Sequence, residues 1–293
     1  ADATGYSVGD IYKCDEYSSR ISYVTYVNEG RIGYSCDYIY SVPSSIKTVN
    51  ITDASKIGAG AFAKCTYINK IVLNDGITSI GDYAFYSASG IKDFVIPNSV
   101  TSLGGYSFYK CNGLTEFSIP NGITAIEKYT FYDCKNIKKV VMSRNVISIG
   151  DYAFYSCLGI TKLIIPDKVE SIGSYAFAEC RNIAEINIPD SVTELGRNAF
   201  AASNIRYPMG ATKLRIGSGL KTIPENAFSN CAYLTKVTVP NTVETIGALA
   251  FKGCNKLSEI TLPFVGKSRS ATGYESAFGY IFDYKTDGSG GGA

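Results

Sequence analysis

A phenylalanine returns every 23 residues along most of this chain. Phe62, Phe85, Phe108, Phe131, Phe154, Phe177 and Phe200 follow one another at that interval, Phe228 comes 28 residues later, and Phe251 follows after a further 23. Nine units result, running from about Ile57 to Pro263, with one five-residue expansion between Phe200 and Phe228. A fixed period of this size is the signature of a stacked-repeat architecture.

The rest of each unit keeps step with its phenylalanine. Cysteine lies three residues on in seven units (Cys65, Cys111, Cys134, Cys157, Cys180, Cys231 and Cys254), and Ala88 and Ser203 take that place in the other two. An aliphatic residue then opens a short alternating segment such as Leu114-Thr115-Glu116-Phe117-Ser118-Ile119-Pro120. Period-2 alternation stopped by proline reads as a brief strand. A turn, a Val-x-x-Ile/Leu-Gly stretch and a compact Asp-Tyr-Ala-Phe-Tyr-Ser-Cys segment complete the unit, and the last of these is expected to be a helical turn. No single unit can bury its own apolar residues, so successive coils must stack into one continuous core. With parallel strands about 4.8 Å apart, nine coils would span roughly 43 Å.

The unit Leu-x-x-Phe-x-Ile-Pro-x-x-Ile-x-x-Ile-x-x-x-x-Phe-x-x-Cys resembles the BspA-type leucine-rich repeat, over roughly residues 41–263. The resemblance implies a leucine-rich-repeat solenoid with short parallel strands on one face and short helical turns on the other. It also implies an extracellular or cell-surface bacterial protein, adhesion or host-protein binding, and no catalytic residues. Pro263-Phe264-Val265-Gly266 with Phe278-Gly279-Tyr280-Ile281-Phe282 looks like a module that closes such repeat blocks, and Tyr40-Ser41-Val42-Pro43-Ser44-Ser45-Ile46-Lys47 looks like a segment that opens one.

The expected organisation is an N-terminal β cap at 1–40, the solenoid at 41–263 with an insertion at 201–213, a closing module at 264–284 and a flexible tail at 285–293. The cap is expected as a β-hairpin built from Ile21–Val27 and a turn at Asn28-Glu29-Gly30. The insertion is either a tolerated surface loop or part of a working face. The chain starts without a basic or apolar leader, so any signal peptide is expected to be gone already.

Composition excludes function classes more than it names one. With 28 basic against 26 acidic residues, the charge balance gives no case for nucleic acid or an anionic membrane surface. No apolar run approaches a membrane span. There is no histidine, which removes the Ser-His and Cys-His pairs and the commonest metal ligand. No phosphate-binding glycine loop is present, and Asp82 and Asp151 recur in register as turn residues rather than as a catalytic pair. No catalytic residue, cofactor or metal is expected.

The repeat cysteines lie 23 or more residues apart with no Cys-x-x-Cys, which reads as a column of buried structural thiols. Cys14 and Cys36 lie outside the repeat, either as one disulfide closing the cap or as two stray thiols.

Two surfaces could carry binding. Tyr83, Tyr106, Tyr129, Tyr152 and Tyr175 precede the phenylalanine by two, and Tyr86, Tyr109, Tyr132 and Tyr155 follow it by one. They would form two outer columns, either a contact surface or ladders that only stabilise the stack. The strand face presents an apolar column beside a column of mixed charge, and its expected contact residues are Val95, Glu116, Ser118, Lys139, Val141, Lys162 and Ile164. An apolar centre flanked by charge suits a protein interface, and β-branched residues also suit any strand. The expected function is a non-catalytic extracellular binding module, an adhesin fragment meeting a host or matrix protein. The alternatives are a structural spacer or self-associating segment of a larger surface protein, and an accessory module of a secreted enzyme. The expected state is a monomer or a weak self-associate.

Overall fold

The computed structural model describes residues 12–14, 20–27, 31–92 and 94–283, with side chains from Val42 onward. At the N-terminus, β1 (Tyr12–Cys14), β2 (Arg20–Val27) and β3 (Arg31–Ser41) form an antiparallel sheet in that order. The expected pairing of Cys14 with Cys36 rests on side chains outside those described.

From Thr48 to Thr261 the chain is a β-solenoid whose coils we number by phenylalanine, from Phe62 (first) to Phe251 (ninth). Each coil passes through two strand positions and one turn segment. Strands of two residues repeat once per coil, from Lys56–Ile57 to Thr245–Ile246, and pair in parallel with the same strand of a neighbouring coil. In these pairs isoleucine faces isoleucine or leucine, as in Ile126, Ile149, Ile172 and Leu195, so one side of every strand stays in the core.

The three-residue strands pair differently from expectation. They form four separate parallel pairs: Thr48–Asn50 with Lys70–Val72, Glu116–Ser118 with Lys139–Val141, Glu185–Asn187 with Lys213–Arg215, and Lys236–Thr238 with Glu259–Thr261. The expected strands at Val95 and at Lys162–Ile164 are not formed; both segments run between coils without ladder pairing. The strand face is therefore interrupted in the second and fifth coils.

The phenylalanine segment is not the expected helical turn. Around Phe131, the N–H groups of Tyr129, Phe131 and Asp133 donate to the carbonyls of Asp151, Ala153 and Tyr155 on the next coil, at 2.9, 2.8 and 2.7 Å. The alternate N–H groups of Thr130, Tyr132 and Cys134 donate back to Glu127, Tyr129 and Phe131. A helix would direct every amide along its own axis. Here half of them leave the coil, and the segment becomes a chain of tight turns stitched to its neighbour. Such turns need left-handed residues, and φ is +58° at Tyr129 and +57° at Asp133; the first has an equivalent in every coil from Gly60 to Leu249, and the second in every coil but the seventh.

The core is one column. Phe85, Phe108, Phe131, Phe154, Phe177, Phe200, Phe228 and Phe251 are fully buried and stack ring on ring, with neighbouring centroids 5.1–6.0 Å apart. Phe94 and Phe117 meet this column edge-on, Phe117 at 4.6 Å from Phe131. Coils approach closely where glycine follows the two-residue strand: a Cβ on Gly150 would lie 2.7 Å from the backbone N of Lys128, although Glu127 and Pro224 take that place in the fourth and eighth coils. The last coil finds substitute partners in the closing segment. Leu249 and Phe251 donate their N–H groups to the carbonyls of Tyr280 and Ile281, and Phe282 lies over Phe251 at 6.4 Å.

Candidate binding surfaces

The expected contact residues of the strand side are all on the surface. Val95 is 79% exposed, Ile164 61% and Val141 47%, while Glu116, Ser118, Lys139 and Lys162 are exposed as well. Glu116 and Ser118 stand opposite Lys139 and Val141 in register. Val95 and Ile164, the most exposed of the apolar residues, belong to the two unpaired segments, so the stripe alternates between ladder and free backbone. Charge differs along the same side. Lys213 pairs with Glu185 and Lys236 with Glu259, each at 2.6 Å. Lys139 and Lys162 enter no ion pair among the described residues, despite the carboxylate of Glu116 in the neighbouring register position.

The tyrosines form two stacked rows on the turn segments. Tyr83, Tyr106, Tyr129, Tyr152 and Tyr175 lie nearly parallel at 4.5–4.8 Å, and Tyr86, Tyr109, Tyr132 and Tyr155 do the same at 4.7–4.8 Å. The two rows touch at a tilt, as in Tyr129 and Tyr132 at 5.6 Å. Ring faces are thus spent on one another, which supplies the ladder role directly, and the side chains are half-buried. Burial and then the Glu179 carboxylate push the Tyr155 hydroxyl up to about 12, and burial and neighbouring phenols raise Tyr106 and Tyr109 further. The first row also sits at φ of +55 to +58°, a conformation that costs a non-glycine residue about 1–2 kcal/mol. Asn198 and Asn226, the residues best suited to it after glycine, occupy the same place in the seventh and eighth coils.

The repeat cysteines do more than fill space. Cys111, Cys134, Cys157 and Cys180 each donate the thiol to the carbonyl of the preceding coil's phenylalanine at 2.9–3.0 Å. Burial pushes Cys180 up to about 12 and holds the others high, so they stay protonated donors. Among the described residues no group of three or more His, Cys, Asp or Glu is placed to hold a metal ion.

Residues 35–161 and 147–278 match the model of the BspA type leucine rich repeat region. The chain belongs to the BspA-type leucine-rich repeat family. Among solved structures it is similar to a leucine rich cell surface protein of Faecalibacterium prausnitzii A2-165, 22% identical over 88% of this chain and 84% of that one, with a TM-score of 0.41. A leucine-rich repeat protein of Bacteroides ovatus is 21% identical over 88% of each chain, TM-score 0.44. One of Eubacterium ventriosum is 23% identical over 84% and 80%, TM-score 0.49. No curated protein matches the chain. No helix among the described residues is long and apolar enough to cross a membrane.

One feature of this BspA-type array escaped the sequence reading. Glu179, in the left-handed position after Phe177, is buried, accepts the backbone N–H of Ser203 and pairs with Arg181. The Arg181 guanidinium in turn lies 4.9 Å from the Tyr207 ring. This chain of contacts anchors the insertion. Its tip exposes Ile205 and Tyr207, while Met209 and Ala211 turn back into the core. The only glutamate at this register position was the available signal, but its partner lies 24 residues away.

Proposed function

We propose that this BspA-type array is a non-catalytic, extracellular binding module, and that its strand side docks a host or matrix protein presenting acidic groups around an apolar contact. The supporting observation is the contrast within one column of charge. In the seventh and eighth coils the lysines of this column, Lys213 and Lys236, each pair with a glutamate of a neighbouring coil. Lys139 and Lys162 do not, and they flank Val141 and Ile164, which stay exposed to water. An apolar centre with unneutralised charge at its edge is the arrangement that favours steered association with a complementary surface. The test is surface plasmon resonance of the chain against a panel of purified matrix and epithelial surface proteins, at low and high salt. Salt-sensitive binding to an acidic member supports the reading. Salt-insensitive binding, or a chain that binds only itself as judged by light scattering, favours the spacer role instead.

A further inference from the structure

The first tyrosine row stops inside the array rather than at its end. Tyr175 stacks on Tyr152 at 4.7 Å, and among the described residues no ring continues the column on its other side. Asn198 follows it in the register. A cavity of about 300 Å³ opens at this point, lined by the aromatic Tyr152 and Tyr175 and by the polar Ser174, Arg197, Asn198, Glu225 and Asn226.

The lining has two distinct halves. One is an aromatic plate already aligned by the rings stacked behind it. The other is polar and carries both senses of hydrogen bond. Arg197 supplies donors, Glu225 supplies acceptors, and each asparagine amide supplies both. Arg197 lies 3.6 Å from Glu225, and Asn226 Nδ2 donates to Glu225 Oε1 at 3.2 Å. The arginine and glutamate side chains are 70% and 46% exposed, so they can turn to a ligand without abandoning a buried partner.

This combination selects a ligand chemistry. A flat aromatic group would suit Tyr175 but leave the polar wall unmatched, and a simple anion or cation would meet one of the two opposed charges. A pyranose ring carries C–H bonds on its face, suited to the negative face of an aromatic ring, and hydroxyls around its edge that donate and accept. We infer that the cavity holds a sugar ring of a glycan, laid on Tyr175 as the next plate of the tyrosine column. The site lies on the turn side of the coil and does not depend on the strand-side reading.

Saturation-transfer NMR with glucose, galactose, N-acetylglucosamine and N-acetylgalactosamine, and with trisaccharides built from them, tests it. At least one should bind, with strongest transfer to its ring C–H protons. Tyr175→Asn installs the residue that the next two coils carry at the same left-handed position, so the backbone tolerates it. It should weaken binding by roughly tenfold, the factor that a stacked aromatic contact supplies. Tyr175→Phe should retain binding, and Tyr109→Ala, in the other row, should leave it unchanged. If Tyr175→Asn does not fold, the exposed pair Arg197→Ala with Glu225→Ala serves as the second variant and should weaken binding comparably. No binding by any of these sugars, equal binding by Tyr175→Asn, or stronger binding of p-cresol than of every sugar would overturn the site.

Discussion

The thiol of Cys157 donates to the carbonyl oxygen of Phe131, 26 residues earlier, at 3.0 Å. The two most regular residues of the repeat are thereby joined across a coil boundary. The same carbonyl accepts the N–H of Cys134, so its second lone pair is satisfied by sulfur where an alanine would leave it empty.

That bond and full burial make the repeat thiols unreactive. Thiol reagents should modify Cys111, Cys134, Cys157 and Cys180 only after denaturation, because reaction needs the thiolate and burial suppresses it. Mass spectrometry after a native labelling pulse checks this, and Cys254, which is 8% exposed, should be the first of the described cysteines to react. Rapid native labelling of Cys157 would contradict the inward placement.

Phe131 is stacked between Phe108 and Phe154 at 5.5 and 5.1 Å and meets Phe117 edge-on. Phe131→Ala removes contacts from both neighbouring coils and should destabilise the array by about 3–5 kcal/mol in denaturant unfolding. Phe62, on the first coil, is only partly buried and stacks on Phe85, so Phe62→Ala should be milder.

Gly150→Ala should destabilise by about 1–3 kcal/mol, since the new Cβ would crowd the backbone of Lys128 and Glu127 and force the coils apart. The same substitution at Gly279, where a Cβ meets nothing within 4 Å, should leave the melting temperature nearly unchanged.

Alkali should loosen the tyrosine rows. The Tyr155 pKa lies above its ordinary value of 10.0, at about 12, chiefly through burial and then through the nearby Glu179 carboxylate. The folded state therefore holds this proton more tightly than the unfolded state. The associated stability is complete below pH 10 and is lost as pH rises towards 12. Melting temperature should fall across that interval, in step with the tyrosinate absorbance. A flat profile would mean that the rings ionise as freely as in the unfolded chain.

On the strand side, Lys139→Glu with Lys162→Glu should slow association with an acidic partner, and Val141→Asp should mainly raise the dissociation rate. Stopped-flow or plasmon-resonance kinetics separates the two effects. If both variants bind normally while Tyr109→Ala and Tyr132→Ala do not, the docking face is the tyrosine side.

The sequence by itself determined the number of coils, the inward phenylalanine and cysteine columns, and the adjacency of the tyrosines. Each follows from residue type repeated at a fixed interval, and a stack of identical coils converts interval into position. The tertiary structure decided what depends on the neighbouring coil. Whether the segment around Phe131 becomes a helix or a ladder of turns rests on where its amides find acceptors, and those acceptors, Asp151, Ala153 and Tyr155, lie 22 residues further along. Pairing of the three-residue strands, the anchoring of the insertion by Glu179 and the cavity beyond Tyr175 are likewise contacts between coils. Residue type sets which groups face inward, but the offset between one coil and the next sets which of them meet.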